Sequence, residues 1–215
     1  MIRSLITSLR RIAILAPLLG AALSAPLPVH AADGALYGPV APPGSAFVRV
    51  FNGSERPDLL AQVGAQTVDE IPAWGASDYV FVPSGTTTVS IGSVNSSAPL
   101  QADHYYTAVE DKGAIKLIDS ARFNNRMKAL LMVYNLSDSK SLSLKSADGK
   151  TDVVAGVSAN SVGTREVNPT KATLAVYDGD TKIADAPAVN LTRGKASSLF
   201  VVGEAKAPRL VWSSN

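Results

Sequence analysis

Two stretches of this chain can be laid over one another. Ala46-Phe47-Val48-Arg49-Val50-Phe51-Asn52-Gly53-Ser54 reads over Ala129-Leu130-Leu131-Met132-Val133-Tyr134-Asn135-Leu136-Ser137 at an offset of 83 residues. Leu59 and Ala61 fall on Leu142 and Leu144 at the same offset. Beyond that point the offset drifts mainly upward. Val82-Pro83 meets Asn168-Pro169 at 86, Val89 and Ile91 meet Leu174 and Val176 at 85, Leu100 meets Leu191 at 91, and Leu117 meets Val211 at 94. A drift of this kind is expected of a tandem duplication whose second copy has longer loops, and it predicts two modules of about 85 residues each.

The spacing of Gly and Pro decides what each module is made of. Residues 32–215 hold 15 Gly and 10 Pro, which leaves little room for long helices and suits short strands joined by turns. β-Branched and aromatic runs lie between these breakers: 46–52, 78–82, 86–91, 105–109, 115–118, 129–135, 141–145, 173–177 and 199–202. The expected fold class is all-β, two tandem β-sandwich modules. Residues 121–133 could be helical by propensity, but the repeat assigns 129–135 to a strand. The expected organisation is a first module over 46–119, a short linker over 120–128 and a second module over 129–215. A linker so short and so poor in Gly and Pro implies that the modules pack together.

Residues 1–31 read as a cleaved signal peptide, with Arg3, Arg10 and Arg11 ahead of an apolar stretch and Val29 and Ala31 at its exit. That stretch falls short of the roughly 20 residues that span a bilayer. The segment 32–45 reads as an extended lead-in. Without the leader, 17 Lys and Arg face 18 Asp and Glu, so the whole-chain charge of +2 becomes −1. A nucleic-acid binder would show a basic excess. No second segment is apolar for long enough to predict a membrane span in the mature protein.

Few catalytic devices remain. The chain has no cysteine, which excludes disulfides, thiolate metal sites and cysteine nucleophiles. His104 is the one histidine outside the leader. In a strand it and the adjacent Asp103 would point to opposite faces, so the pair is useful only if the chain turns there. No Gly-x-Ser-x-Gly elbow occurs. Asp178-Gly179-Asp180 reads as a hairpin turn and not as a calcium loop. Catalytic, cofactor and metal residues are therefore all expected to be none. Candidate contacts to a glycan or partner are Trp74, in a loop beside Pro72 and Gly75, and the linker cations Arg122, Arg126 and Lys128. Trp212 is expected in a core or between modules, and of Tyr105 and Tyr106 at least one in a core.

Several blocks resemble one family in order along the chain. Residues 34–39 (GALYGP), 44–50 (GSAFVRV), 102–107 (ADHYYT), 146–155 (SADGKTDVVA) and 165–169 (REVNP) are similar to blocks of the AlgF family of alginate biosynthesis proteins. The resemblance implies a periplasmic protein needed for O-acetylation of mannuronate residues in alginate. It also implies work beside periplasmic alginate acetyltransferases and a membrane-bound O-acyltransferase, and it brings no catalytic residue to carry over. The expectation is a non-catalytic adaptor that bridges those enzymes. The alternatives are a glycan-binding module for polymannuronate, and an acetyl carrier or transferase working near His104.

Overall fold

The structure, a computed structural model, describes residues 40–57, 59–120 and 122–214, so the expected signal peptide lies outside the described residues. Those residues form strands and turns with no helix. In the first module one sheet has the order β4 (Val80–Pro83), β1 (Ser45–Phe51), β7 (Tyr105–Asp111), β8 (Ala114–Ser120). The other has the order β3 (Gln66–Ile71), β2 (Leu59–Val63), β5 (Gly85–Ile91), β6 (Val94–Leu100). Ala46, Val48 and Val50 of β1 pack with Leu59, Ala61, Val63, Val89 and Ile91 of the facing sheet. This is a β-sandwich, as expected.

The second module repeats that plan. One sheet runs β12 (Ser161–Val167), β9 (Ala129–Ser137), β17 (Ala196–Gly203), β18 (Arg209–Ser214). The other runs β11 (Asp152–Ser158), β10 (Ser141–Ser146), β14 (Leu174–Asp178), β15 (Thr181–Asp185). Each module contains one parallel pair, β1 with β7 and β9 with β17. Parallel neighbours need a crossover connection. The chain makes it by building the opposite sheet between them.

The equivalence extends to details. The β2–β3 pairing shifts register between Leu59 and Ala61, and the β10–β11 pairing shifts between Leu142 and Leu144. Asn52 accepts hydrogen bonds from the backbone and hydroxyl of Ser54 at 3.0 and 2.7 Å, and its amide donates to the Arg56 carbonyl at 2.8 Å. Asn135 makes the same bonds with Ser137 and Ser139 at 3.2, 2.8 and 3.0 Å. A buried Asn satisfied in this way offers the next backbone groups a side-chain partner: β1 ends just before Asn52, and the pairing of β9 with β12 ends at Asn135.

Two of the expected alignments slip by one residue. Val82 pairs with Ala46 and Val167 with Ala129, which sets that offset at 85 and aligns Val82 with Val167. The shared proline had drawn the alignment, but a proline marks a strand end without fixing its register. In the last strand, Leu117 pairs with Ala108 and Trp212 with Leu199, so Leu117 corresponds to Trp212 at 95. Both pack on their own module's core, whereas Val211 lies on the opposite face. About half of the extra length of the second copy sits in its long hairpin, where the offset rises from 85 to 91. The uninterrupted β5 and β6 correspond to β13 (Thr170–Ala172) plus β14, and β15 plus β16 (Val189–Leu191). Trp212 Nε1 donates to the Pro187 carbonyl at 2.9 Å, in the break between β15 and β16.

The sheets containing β1 and β9 pack on each other through their outer faces. Phe51, Val109 and Ile118 meet Leu130, Met132, Tyr134 and Phe200 in a cluster separate from both sandwich cores. Phe51 stacks on Phe200 at 4.0 Å, and Phe200 on Tyr134 at 4.6 Å. Under the repeat offsets Phe51 is equivalent to Tyr134, and Val109 to Phe200, so each copy presents the same patch to the other. That pattern is an isologous contact made within one chain. The two modules pack together, as the short linker implied.

Arg49 lies at the centre of this contact and is 1% exposed. Its Nε donates to Thr107 Oγ1 at 3.0 Å, and Nη2 donates to the Tyr134 hydroxyl at 3.2 Å and to Ser198 Oγ at 2.9 Å. The guanidinium also lies 5.0–5.4 Å from the ring centroids of Tyr79, Tyr134 and Phe200. Burial pushes the Tyr79 phenol up to about 12 from 10.0, against the lowering effect of Arg49.

Two outcomes follow for the interface. Arg49→Ala, which leaves these hydroxyls and ring faces without their cation, is expected to cost about 3 kcal/mol in urea unfolding. Arg49→Met keeps the packed stem and should cost less; equal stability of Arg49→Ala and wild type would contradict the role given to Arg49. The second outcome concerns pH. The folded Tyr79 keeps a proton that the unfolded chain releases, so its contribution is intact below pH 10 and is lost as pH rises toward 12. Denaturant midpoints measured across that window should fall in the wild type and fall less steeply in Tyr79→Phe.

Candidate functional site

Asp103 takes a left-handed conformation with φ 63°, so the chain does turn before β7. The turn carries His104 away from Asp103 and toward the end of β8, where His104 Nδ1 meets Asp119 Oδ2 at 2.8 Å. Asp103 instead pairs with Arg122 of the linker at 3.3 Å. These residues and Ser120 line an open hollow of about 300 Å³. A carboxylate that orients an imidazole is one part of an acyl-transfer site, which also needs a nucleophile and donors for the oxyanion. Ser120 Oγ is already committed to the Tyr105 carbonyl at 3.0 Å, and Thr107 is buried against Arg49. Among the described residues, no hydroxyl is hydrogen-bonded to the His104 ring.

Trp74 also has a left-handed backbone, φ 56°, in the connection between β3 and β4. The turn requires Gly75, where a Cβ would come 2.4 Å from Pro72 Cγ. The Gly75 carbonyl accepts from Asn52 N at 2.8 Å, which puts the indole beside the C-terminal end of β1. The Arg209 guanidinium of β18 lies 4.5 Å from its ring centroid. One module's tryptophan is therefore covered by the other module's arginine, and the indole is half-buried.

The linker cations lie at the other end of β1. Ser120 pairs with Tyr105, and Tyr105 with Phe47, so the linker leaves from the strands' N-terminal side. The length of β1 puts roughly 20 Å between this end and Trp74. The four candidate residues are thus split among three places: Trp74 at the seam between modules, Arg122 at the His104 hollow, and Arg126 with Lys128 beside the turn between β16 and β17. That turn adds Arg193 and Lys195, which sequence reasoning missed. Gly194 N donates to the Lys128 carbonyl at 2.7 Å, and Leu130 N donates to the Lys195 carbonyl at 3.0 Å. Only the parallel pairing of β9 with β17 brings residues 65 positions apart together, and no local pattern announces it.

The C-terminal ends of the same strands enclose a cleft of about 560 Å³ between the modules. Its floor includes Phe51, Val109, Leu136 and Val202, and its rim carries Glu110, Asp111, Asp138 and Glu204 with Lys112 and Lys116. Lys116 Nζ bridges the modules, donating to Asp111 at 2.6 Å and to Asn160 Oδ1 at 3.0 Å. Asp178-Gly179-Asp180 forms the β14–β15 hairpin turn, with Asp178 accepting from Ser139 Oγ at 3.0 Å. Among the described residues, no three His, Asp or Glu side chains gather as a metal site would require. Among the described residues, no helix is long and apolar enough to cross a membrane.

Residues 19–198 match the family described as "Alginate O-acetyl transferase AlgF". The alginate biosynthesis protein AlgF of Pseudomonas fluorescens is 48% identical over 187 residues, 86% of this chain and 85% of that protein. Its counterpart in Pseudomonas aeruginosa is 44% identical, over 85% of this chain and 84% of its own. Among solved structures, the C-terminal domain of the Pseudomonas aeruginosa protein is 46% identical, covering 41% of this chain and 99% of its own, with a TM-score of 0.38. The N-terminal domain is 30% identical, covering 38% and 100%, with a TM-score of 0.33. With identity of this level along most of both chains, this chain belongs to the AlgF family and its role lies in alginate biosynthesis and acetylation.

Proposed function

We propose that the protein is a non-catalytic adaptor of alginate O-acetylation, acting in the periplasm and bridging the pathway's acetyltransferases. The observation that carries this reading is the way the two modules are joined. A buried aromatic contact and a hydrogen-bonded arginine hold them as one body, with different polar surfaces at opposite strand ends. An adaptor must hold partners at a fixed separation, and a rigid joint between modules does that where a flexible linker would not. The domain limits expected from the sequence, 46–119 and 129–215 joined by 120–128, belong to the same proposal.

The second reading is enzymatic, and the His104–Asp119 pair favours it. It predicts that His104→Ala abolishes acetylation. On the adaptor reading, a strain whose only copy carries His104→Ala still makes normally acetylated alginate, as measured by the acetyl content of the purified polymer. The polymannuronate-binding alternative drew on Trp74 together with the linker cations, which lie at opposite ends of β1, and an indole face already covered by Arg209 is a poor sugar platform. An NMR titration with mannuronate oligomers is expected to be flat at millimolar concentration. Saturable shifts localised at Trp74 would favour glycan binding instead.

A further inference from the structure

The basic end of the second module carries an inference of its own, and it rests on the adaptor reading. Arg126 and Lys128 from the linker meet Arg193 and Lys195 from the β16–β17 turn, held by the two backbone bonds between these segments. Gly194 takes a left-handed φ of +71°, which glycine adopts without strain, in the turn that closes against the linker. Among the described residues, none of the four cations has a carboxylate within 4.0 Å. Lys128 donates to the neutral Asn168 at 2.8 Å, and the neighbouring acid, Glu166, is taken by the Asn125 amide at 2.6 Å. Four cations so concentrated stand against a mature chain whose predicted net charge is −1.

Met127 lies between Arg126 and Lys128 and is 63% exposed. Its conformation is imposed, since Met127 N donates to Asn125 Oδ1 at 3.0 Å in a side-chain-closed turn. An exposed long apolar side chain flanked by cations that have no carboxylate partner fits a protein partner that offers carboxylates around an apolar pocket. A polyuronate chain would match the charge but would leave Met127 unused, and among the described residues no exposed aromatic ring joins the group as a sugar platform.

We infer that Arg126, Met127, Lys128, Arg193 and Lys195 form the docking surface for an acidic, apolar-centred surface of a protein partner. Contacts of this type steer association electrostatically and weaken with salt. The test measures binding of the whole exported protein to each purified periplasmic acetyltransferase of the pathway, at low and moderate salt. The comparison is between wild type, Arg126→Glu/Arg193→Glu, Met127→Ser, and a control, Lys140→Glu/Lys206→Glu, that makes the same charge change at the opposite strand ends.

The expected result is a loss of about tenfold or more in affinity and a flatter salt dependence for Arg126→Glu/Arg193→Glu. Met127→Ser should show a smaller loss, the control close to wild-type binding, and all variants an unchanged thermal midpoint. If wild type binds a partner and the reversed pair binds it equally well, the surface is wrongly assigned while the adaptor reading stands. If wild type binds none of them, both fall. Saturable binding of mannuronate oligomers that the reversed pair abolishes would overturn the protein-docking assignment in favour of the polymer.

Discussion

A guanidinium taken out of water between two sheets loses a large hydration energy, and it is kept there only if its donors are satisfied and its charge is met. Arg49 meets that demand with hydroxyls and aromatic faces drawn from both modules. The consequence is geometric. Apolar contact between two flat sheet faces tolerates sliding, whereas hydrogen bonds to Thr107 on one side and to Tyr134 and Ser198 on the other fix one registration. The seam contacts elsewhere, Lys116 with Asn160 and Arg209 with Trp74, form only when that registration is kept.

The same joint explains why the duplication could be read from the chain. β1 and β9 are buried on both faces, one toward their own sandwich and one toward the other module, so most of their residues are apolar on both sides of the strand. Such runs stand out without an alignment. β2, by contrast, alternates buried and exposed residues, and edge strands such as β6 and β12 carry polar residues and, in β6, a proline. Their pattern is close to that of loops, which is why those strands were not expected. The one-residue slip in the last strand has another origin. In β8 and β18 both faces carry apolar residues, Leu117 and Trp212 toward the sandwich cores and Ile118 and Val211 toward the joint, so a one-residue slip still sets apolar against apolar and composition constrains register weakly.

The candidate site was less legible for a different reason. Trp74 and the linker cations carry the right chemistry on loops, but their grouping depends on which strand ends lie side by side. The parallel pairing of β9 and β17 puts the linker next to residues 193–195, and the pairing of β7 with β8 puts His104 next to Asp119. Neither relation has a local signature. Arg49 was equally hidden. One arginine in an apolar strand reads as an outward-facing position, and in this fold outward from the first sandwich means inward to the joint.

The parallel pairs also decide how charge is distributed over the protein. In an antiparallel sheet neighbouring strands reverse, so residues just before and just after each strand mix at both ends. Here β9 and β17 run the same way, and each passes from basic residues at its start to an acidic one beyond its end: Lys128 to Asp138, and Lys195 to Glu204. β7 ends beside them with Glu110 and Asp111, so the acidic rim of the inter-module cleft draws on both copies. The length of β9 separates the two ends by about 30 Å. On the adaptor reading, this polarity gives the molecule two distinguishable faces on one rigid body, so that partners of opposite surface charge would be kept apart at a distance set by strand length.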